Sequence, residues 1–319
     1  MKIHSRRPQA DVIRFSLLLL SCFTLLVTPL ASLGADEDPL DILNRMQQTV
    51  RQLSYEGDFV YQYGDVLNAM HINHDWHEGN EREYLRTLTG PSREVVRDNF
   101  TMAQFDQQKP ASVSERRRRN APTLVTFDPE RLSAVYDFRI LGKDRVAGRE
   151  TTIVLVQPRD EMRYGHRLYI DSETALPLRR VVLDRQGKPI SQLMFTSISI
   201  RKSGDNKRVP ETEMQPGPVD YRGKWSFEGL PEGFVMEIHD SSEQEGVIRS
   251  EQFVFSDGIA RLSLYIEDRD VANAPGQSLV GPVGILGAEV DGHRVTVVGE
   301  APIETLKHFL KSTRLKESP

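Results

Sequence analysis

The apolar residues of this chain change period at Leu53. Before it, Leu40, Leu43, Met46, Val50 and Leu53 recur three and four residues apart, which gathers them on one side of a helix. Asp38 suits the N-cap and Pro39 the first helical position, so residues 38–53 are expected to be helical. After it, Tyr55, Gly57, Phe59, Tyr61 and Tyr63 alternate with Glu56, Asp58, Val60 and Gln62, the period of a strand. Gly64-Asp65 turns the chain into a second alternating run, with Met70, Ile72, His74 and Trp76 set against His71, Asn73, Asp75 and His77. Glu78-Gly79-Asn80 turns it again into residues 82–88. A helix followed by consecutive hairpins is an antiparallel pattern.

Further strands are expected at residues 151–157, 166–170, 178–184 and 193–200, with turns at 171–175 and 184–189. Many strands at short intervals, with few helices, argue for a large curved sheet or an open barrel. Periodicity stops between Lys202 and Gly223, where Gly204, Pro210, Pro216, Gly217 and Pro218 punctuate a polar run that reads as a linker. A second unit follows, with strands at 234–239, 251–255 and 261–267 and a glycine-rich turn at 281–287. Its last parts are a hairpin over 289–299 turning at Asp291-Gly292 and a helix over 302–313 with Ile303, Leu306 and Leu310 on one face. One helix on a sheet, in about ninety residues, makes a small α+β domain. A length of 319 residues agrees with two domains.

The first thirty-five residues read as a secretory signal peptide. Lys2, Arg6, Arg7 and Arg14 are followed by an apolar run over 15–29 and by small residues at 31–35. The run is shorter than the ~20 residues of a spanning helix, so cleavage near Gly34 or Ala35 is expected in place of a membrane anchor. Cleavage removes Cys22, the single cysteine, with four basic residues and one acidic residue, and takes the formal charge from −5 to −8. A leader ahead of a cysteine-free chain with no long apolar stretch reads as a bacterial periplasmic protein.

With 41 Lys and Arg against 46 Asp and Glu, the broad basic footprint of a nucleic-acid binder is missing, and no nucleic-acid partner is expected. One cysteine rules out a disulfide framework, a CxxC redox site and a cysteine-rich zinc site. The chain carries no GxSxG elbow, no HExxH and no P-loop. Gly281, Gly284 and Gly287 fall at GxxGxxG, which is not the dinucleotide spacing. His71, His74, Asp75 and His77 are the densest set of metal-ligating residue types. A strand sends His71, Asp75 and His77 to one face and His74 to the other. Along it His71 and His77 stand about 20 Å apart, too far for one zinc. No catalytic residue, cofactor or metal is expected.

Two sets of residues remain as candidates for binding. Phe59, Tyr61 and Tyr63 on one strand stand opposite Met70, Ile72 and Trp76 on the next. They are either ordinary core or the lining of an apolar cavity, left by a strongly curved sheet, that admits acyl chains. Arg116, Arg117, Arg118 and Arg119 run in series, either as a solvated loop or as a contact for an anionic headgroup near the cavity mouth.

Several blocks resemble the MucB/RseB family of periplasmic sigma-factor regulatory proteins, and within it the MucB branch. In the first unit they are Tyr55-Glu-Gly-Asp-Phe-Val-Tyr61, Leu85-Arg-Thr-Leu-Thr-Gly-Pro-Ser-Arg-Glu-Val-Val96, Leu168-Tyr-Ile-Asp171 and Ala175-Leu-Pro-Leu-Arg-Arg180. In the second they are Phe255-Ser-Asp-Gly-Ile-Ala-Arg-Leu-Ser-Leu-Tyr-Ile266 and Val295-Thr-Val-Val-Gly-Glu-Ala-Pro302. The resemblance covers nearly the whole mature chain. It implies a mainly β fold with α elements: a half-open antiparallel β-barrel with helices, like the carriers LolA and LolB, and a smaller C-terminal α+β domain. The expected divisions are a signal peptide at 1–35, an N-terminal domain at 36–201, a linker at 202–223 and a C-terminal domain at 224–319.

The resemblance also implies a non-enzymatic function, the negative regulation of an envelope-stress sigma factor in the periplasm. The implied partner is the periplasmic domain of a single-span anti-sigma factor, which binding shields from site-one proteolysis. Lipid-like amphiphiles of the outer membrane, such as lipopolysaccharide fragments or mislocalised lipoproteins, are implied to cause release. A homodimer or higher oligomer is expected. The rival reading is a periplasmic lipid or lipoprotein carrier. A carrier needs only the first domain, so the linker and second domain favour regulation.

Overall fold

The computed structural model describes residues 37–77, 80–98, 102–106, 109–114, 129–201, 219–244, 247–268 and 276–316. The leader, the arginine run Arg116–Arg119 and residues 202–218 of the expected linker lie outside the described residues.

The period change at Leu53 is the boundary between α1 (Pro39–Gln52) and β1 (Ser54–Tyr63). Asp38 caps the helix, its side chain accepting from the Leu40 amide at 2.9 Å. Four more strands of a meander follow as β2 (Val66–His77), β3 (Asn80–Thr87), β4 (Arg93–Asp98) and β5 (Met102–Asp106), and then β6 (Lys109–Ser114). After α2 (Pro129–Val135) come β7 (Tyr136–Val146), β8 (Arg149–Pro158), β9 (Gly165–Asp171), β10 (Pro177–Leu183) and β11 (Pro189–Arg201). These strands form one sheet in the order β6-β5-β4-β3-β2-β1-β11-β10-β9-β8-β7, antiparallel at every pairing.

The edge strands β6 and β7 are not paired with each other, so the sheet stays open. It curls strongly all the same: Cα atoms of β7 and β11 approach within 8 Å although β8, β9 and β10 lie between them. A β-bulge at Asp58/Phe59 and further register shifts in β7, β10 and β11 supply bending of this kind. One apolar cluster joins Ile42, Leu43 and Met46 of α1 to Leu132 of α2 and to Val154, Val156, Leu168 and Ile170. The residues between them along the strands, Leu155 and Tyr169, belong to a second cluster that includes Phe59, Ile72, Leu85 and Phe195. Strands β8 and β9 are thus buried on both faces.

The second sheet is built from β13 (Val235–Gln244), β14 (Val247–Ser256), β15 (Arg261–Glu267), β16 (Gln277–Val280), β17 (Val283–Val290) and β18 (His293–Glu300), after a short β12 (Trp225–Phe227). Its order is β13-β14-β15-β18-β17-β16. The β17–β18 hairpin turns at Asp291-Gly292, both with positive φ (48° and 76°), as a tight two-residue turn requires. Helix α3 (Ile303–Ser312) lies against β17 and β18, and β19 (Thr313–Leu315) pairs with β12. Leu306 and Phe309 of α3 complete a core with Trp225, Phe253, Phe255 and Val297.

Two expectations need correction. Residues 281–287 are not a single glycine-rich turn. Gly281 turns, with φ of 59°, but Gly284 and Gly287 lie inside β17. A Cβ on Gly284 would stand 2.8 Å from Leu306 Cδ2, so this glycine lets α3 approach the sheet. The strand β7 and helix α2 were also not anticipated. Residues 139–145 of β7 are all exposed, so the apolar alternation that marks a half-buried strand is missing there.

Candidate functional site

The six residues expected to line a cavity divide into two groups. Phe59 pairs with Met70 across the β1–β2 ladder, and Gly57 with Ile72. Cross-strand partners share a face, and there Phe59 and Ile72 join Tyr55, Leu85 and Phe195 in the buried core. Trp76 is also buried, its amide donating to Ser54 Oγ at 2.9 Å. Met70, Tyr61 and Tyr63 are only half-buried. Tyr61 lies near Glu300 of β18, and burial, reinforced by that carboxylate, pushes its hydroxyl pKa up. Tyr63 sits under Gly281, where an added Cβ would come within 2.7 Å of its own Cβ. The far end of β1 therefore reaches the second sheet.

The histidines separate as a strand requires. His71 places Nδ1 2.8 Å from Asp58 Oδ1 on one face. His74 is buried on the other, stacked on Tyr55 at 4.9 Å with its Nδ1 2.8 Å from the Leu53 carbonyl. Among the described residues no group of three or more His, Cys, Asp or Glu is arranged to hold a metal.

The most constrained polar group lies between the two sheets. Arg163, in the loop between β8 and β9, places Nη1 2.8 Å from Asp257 Oδ2, in the turn between β14 and β15. Neither side chain is exposed. Arg163 also donates to both oxygens of Asp160 and to the Glu232 carbonyl at 2.7 Å, and its guanidinium lies over the rings of Tyr136 and Phe234. Asp257 accepts from Tyr136 Oη at 3.0 Å and from the amides of Ile259 and Ala260. Burial works against the Arg163 charge, but the Asp160 hydrogen bonds and the Asp257 charge outweigh it and hold the pKa above its ordinary value. Burial pushes Asp257 up, and Arg163 and the two amides pull the other way. Tyr136 is raised far above its ordinary value by burial and by Asp257. This group is built to hold position: its hydroxyl keeps its proton and its carboxylate is spoken for by four donors.

Two further ion-pair groups span the same junction. Glu237 of β13 accepts from Arg131 of α2 and from Arg261 of β15, each at 2.8 Å. Arg180 of β10 pairs with Glu300 of β18 and also meets Nδ1 of His166 at 3.3 Å. His166 is fully buried, and desolvation, followed by the Arg180 charge, lowers its pKa well below the ordinary value. Thr305 of α3 adds a hydrogen bond to the Met162 carbonyl at 2.6 Å. The sequence reading did not single out any of these residues as a site. Four of the charged residues, Arg180, Asp257, Arg261 and Glu300, lie inside the blocks that carried the family resemblance.

The family model of the MucB/RseB N-terminal domain matches residues 38–216, and that of the MucB/RseB C-terminal domain matches residues 220–314. The chain belongs to the MucB/RseB family. Among MucB/RseB relatives, the sigma factor AlgU regulatory protein MucB of Pseudomonas aeruginosa is 32% identical, over 94% of this chain and 98% of the relative. The sigma-E factor regulatory protein RseB of Escherichia coli is 25% identical, over 86% of this chain and 89% of the relative. Of solved MucB structures, the complex of Pseudomonas aeruginosa MucA and MucB covers 88% of this chain and 100% of the matched chain, at 30% identity and a TM-score of 0.66. A crystal structure of MucB covers 88% and 99%, at 29% identity and a TM-score of 0.63. The match therefore spans both sheets and the junction between them.

Proposed function

We propose that this MucB/RseB protein is a non-enzymatic regulator that binds the periplasmic region of a single-span anti-sigma factor and shields it from site-one proteolysis. The observation that carries this reading is coverage. The chain spans the whole of a MucB chain solved in complex with MucA, second domain included. A simple carrier would need only the first sheet. In this reading residues 1–35 are a cleaved leader, the mature protein works in the periplasm as a dimer or larger assembly, and residues 202–223 link the domains.

Amphiphiles of the outer membrane would release the partner by binding the free form more tightly than the bound one. The half-buried Met70, Tyr61 and Tyr63 are the members of the expected lining with surface left to offer. The test is fluorescence anisotropy of a labelled peptide covering the anti-sigma factor's periplasmic region. Saturable binding, protection of that peptide from the site-one protease and release by lipopolysaccharide fragments are expected. A peptide that neither binds nor gains protection would overturn the proposal.

A further inference from the structure

Arg179 and Arg180 are neighbours in β10 that point to opposite faces. Arg180 turns to Glu300. Arg179 turns the other way, with its guanidinium 4.7 Å from the centre of the Tyr169 ring and Nη2 2.9 Å from Gln192 Oε1. Gln192 is held in turn by Gln62 at 2.8 Å, so the Arg179 fork is fixed in place. In the β9–β10 ladder Arg179 pairs with Tyr169 and Val181 with Arg167. Arg167 therefore shares the face of Arg179 as its diagonal neighbour, with Cβ atoms about 7–8 Å apart and both side chains long enough to converge. Nε of each arginine is buried without an acceptor, and among the described residues no carboxylate pairs with either. The protein is acidic overall, and its other half-buried or buried arginines in β9–β11 and the junction, Arg163 and Arg180 among them, are matched by carboxylates. Arg131 and Arg180 also bury Nε without an acceptor, but each meets a carboxylate through another nitrogen. What sets Arg167 and Arg179 apart is that, among the described residues, two half-buried charges on one face have no carboxylate at all, which is unfavourable unless an anion meets them.

We propose that Arg167 and Arg179 form an oxyanion site for a phosphate group, presented either by free phosphate or by the headgroup of an anionic lipid. A guanidinium matches phosphate oxygens in a two-pronged arrangement that a lysine cannot reproduce. The floor beside the pair is apolar, with Leu155, Tyr169 and Val181 all buried. The site stands apart from the partner reading, because its test contains no anti-sigma peptide.

The experiment follows the arginine Nε–Hε resonances of the full-length protein by NMR during titration with inorganic phosphate. Flotation with phosphatidylcholine vesicles, with and without phosphatidic acid, accompanies it. The Arg167 and Arg179 resonances should shift, and the protein should float only with phosphatidic acid. Shifts with phosphate but no flotation assign a free-anion site, and shifts together with flotation assign a headgroup site; either supports phosphate recognition. Arg167→Gln with Arg179→Gln should weaken the response about tenfold or more, Arg179→Lys should not restore it, and Arg45→Gln on α1 should leave it intact. Arg167 and Arg179 resonances of the wild type that stay unmoved at saturating phosphate would overturn the proposal, whatever the flotation shows. So would equal binding of a glutamate-rich peptide in place of phosphate. The resonance measurement needs no variant, so a double variant that fails to fold does not blunt the test.

Discussion

Arg163 and Asp257 meet at 2.8 Å with neither side chain exposed, one from the first sheet's side of the junction and one from the second. A buried ion pair adds little net stability, because desolvating both charges offsets most of their attraction. It does fix geometry, since a shifted junction leaves both charges buried and unmatched.

Removing one partner should therefore cost far more than the pair contributes. Asp257→Ala is expected to destabilise the protein by about 3–5 kcal/mol, as seen when one half of a buried pair is lost. Arg163→Met combined with Asp257→Leu should cost less than the two single changes added together, by about 1–3 kcal/mol. Urea denaturation of the four proteins in the cycle measures this. Strict additivity would show that the two side chains do not act as a unit.

The buried His166 makes stability pH-dependent. Its folded pKa lies well below the ordinary 6.5, so the unfolded chain binds the extra proton as acid is added. Stability from this residue is complete above about pH 6.5 and declines as the pH falls from there toward the folded pKa, by at most about 1.4 kcal/mol per unit. Melting temperatures between pH 7.5 and 5 should fall more steeply for the wild type than for His166→Asn. Parallel curves would mean that His166 takes up its proton equally in both states.

Core and rim positions on β1 and β2 should behave differently. Ile72 is 3% exposed, and Ile72→Ala is expected to cost about 2–5 kcal/mol through the cavity it leaves. Tyr63→Ala removes a half-buried ring and should cost about 1 kcal/mol. It should still change the lipid concentration that displaces a labelled anti-sigma peptide. If displacement is identical in folded Tyr63→Ala and wild type, Tyr63 takes no part in release.

Zinc should leave the melting temperature unchanged. His71 is engaged with Asp58 on one face of β2, and His74 is buried beneath Tyr55 on the other. Scanning calorimetry with equimolar zinc checks this. A rise that His74→Ala abolishes would place a ligand set where β2 puts none.

Much of this architecture was legible along the chain because its signals are local. The step from helical to strand spacing at Leu53, the cap at Asp38 and the Asp291-Gly292 turn each depend on a few neighbouring residues and on backbone sterics. Contiguous blocks likewise carried the family. Strand β7 was illegible because residues 139–145 lie exposed at the edge of the sheet, so no buried face writes an alternation into their sequence. Phe59 and Tyr63 look alike in the same strand, yet one is core and the other meets Gly281, because the second sheet reaches only the far end of β1. Arg163 and Asp257 stand 94 positions apart and Arg180 and Glu300 stand 120 apart. An arginine carries the same charge wherever it sits in a sequence. Whether it ends beside a carboxylate, as Arg180 does, or without one among the described residues, as Arg167 does, is decided by how the open, curled sheet meets the second sheet. Only that packing sets which distant charges lose their water together.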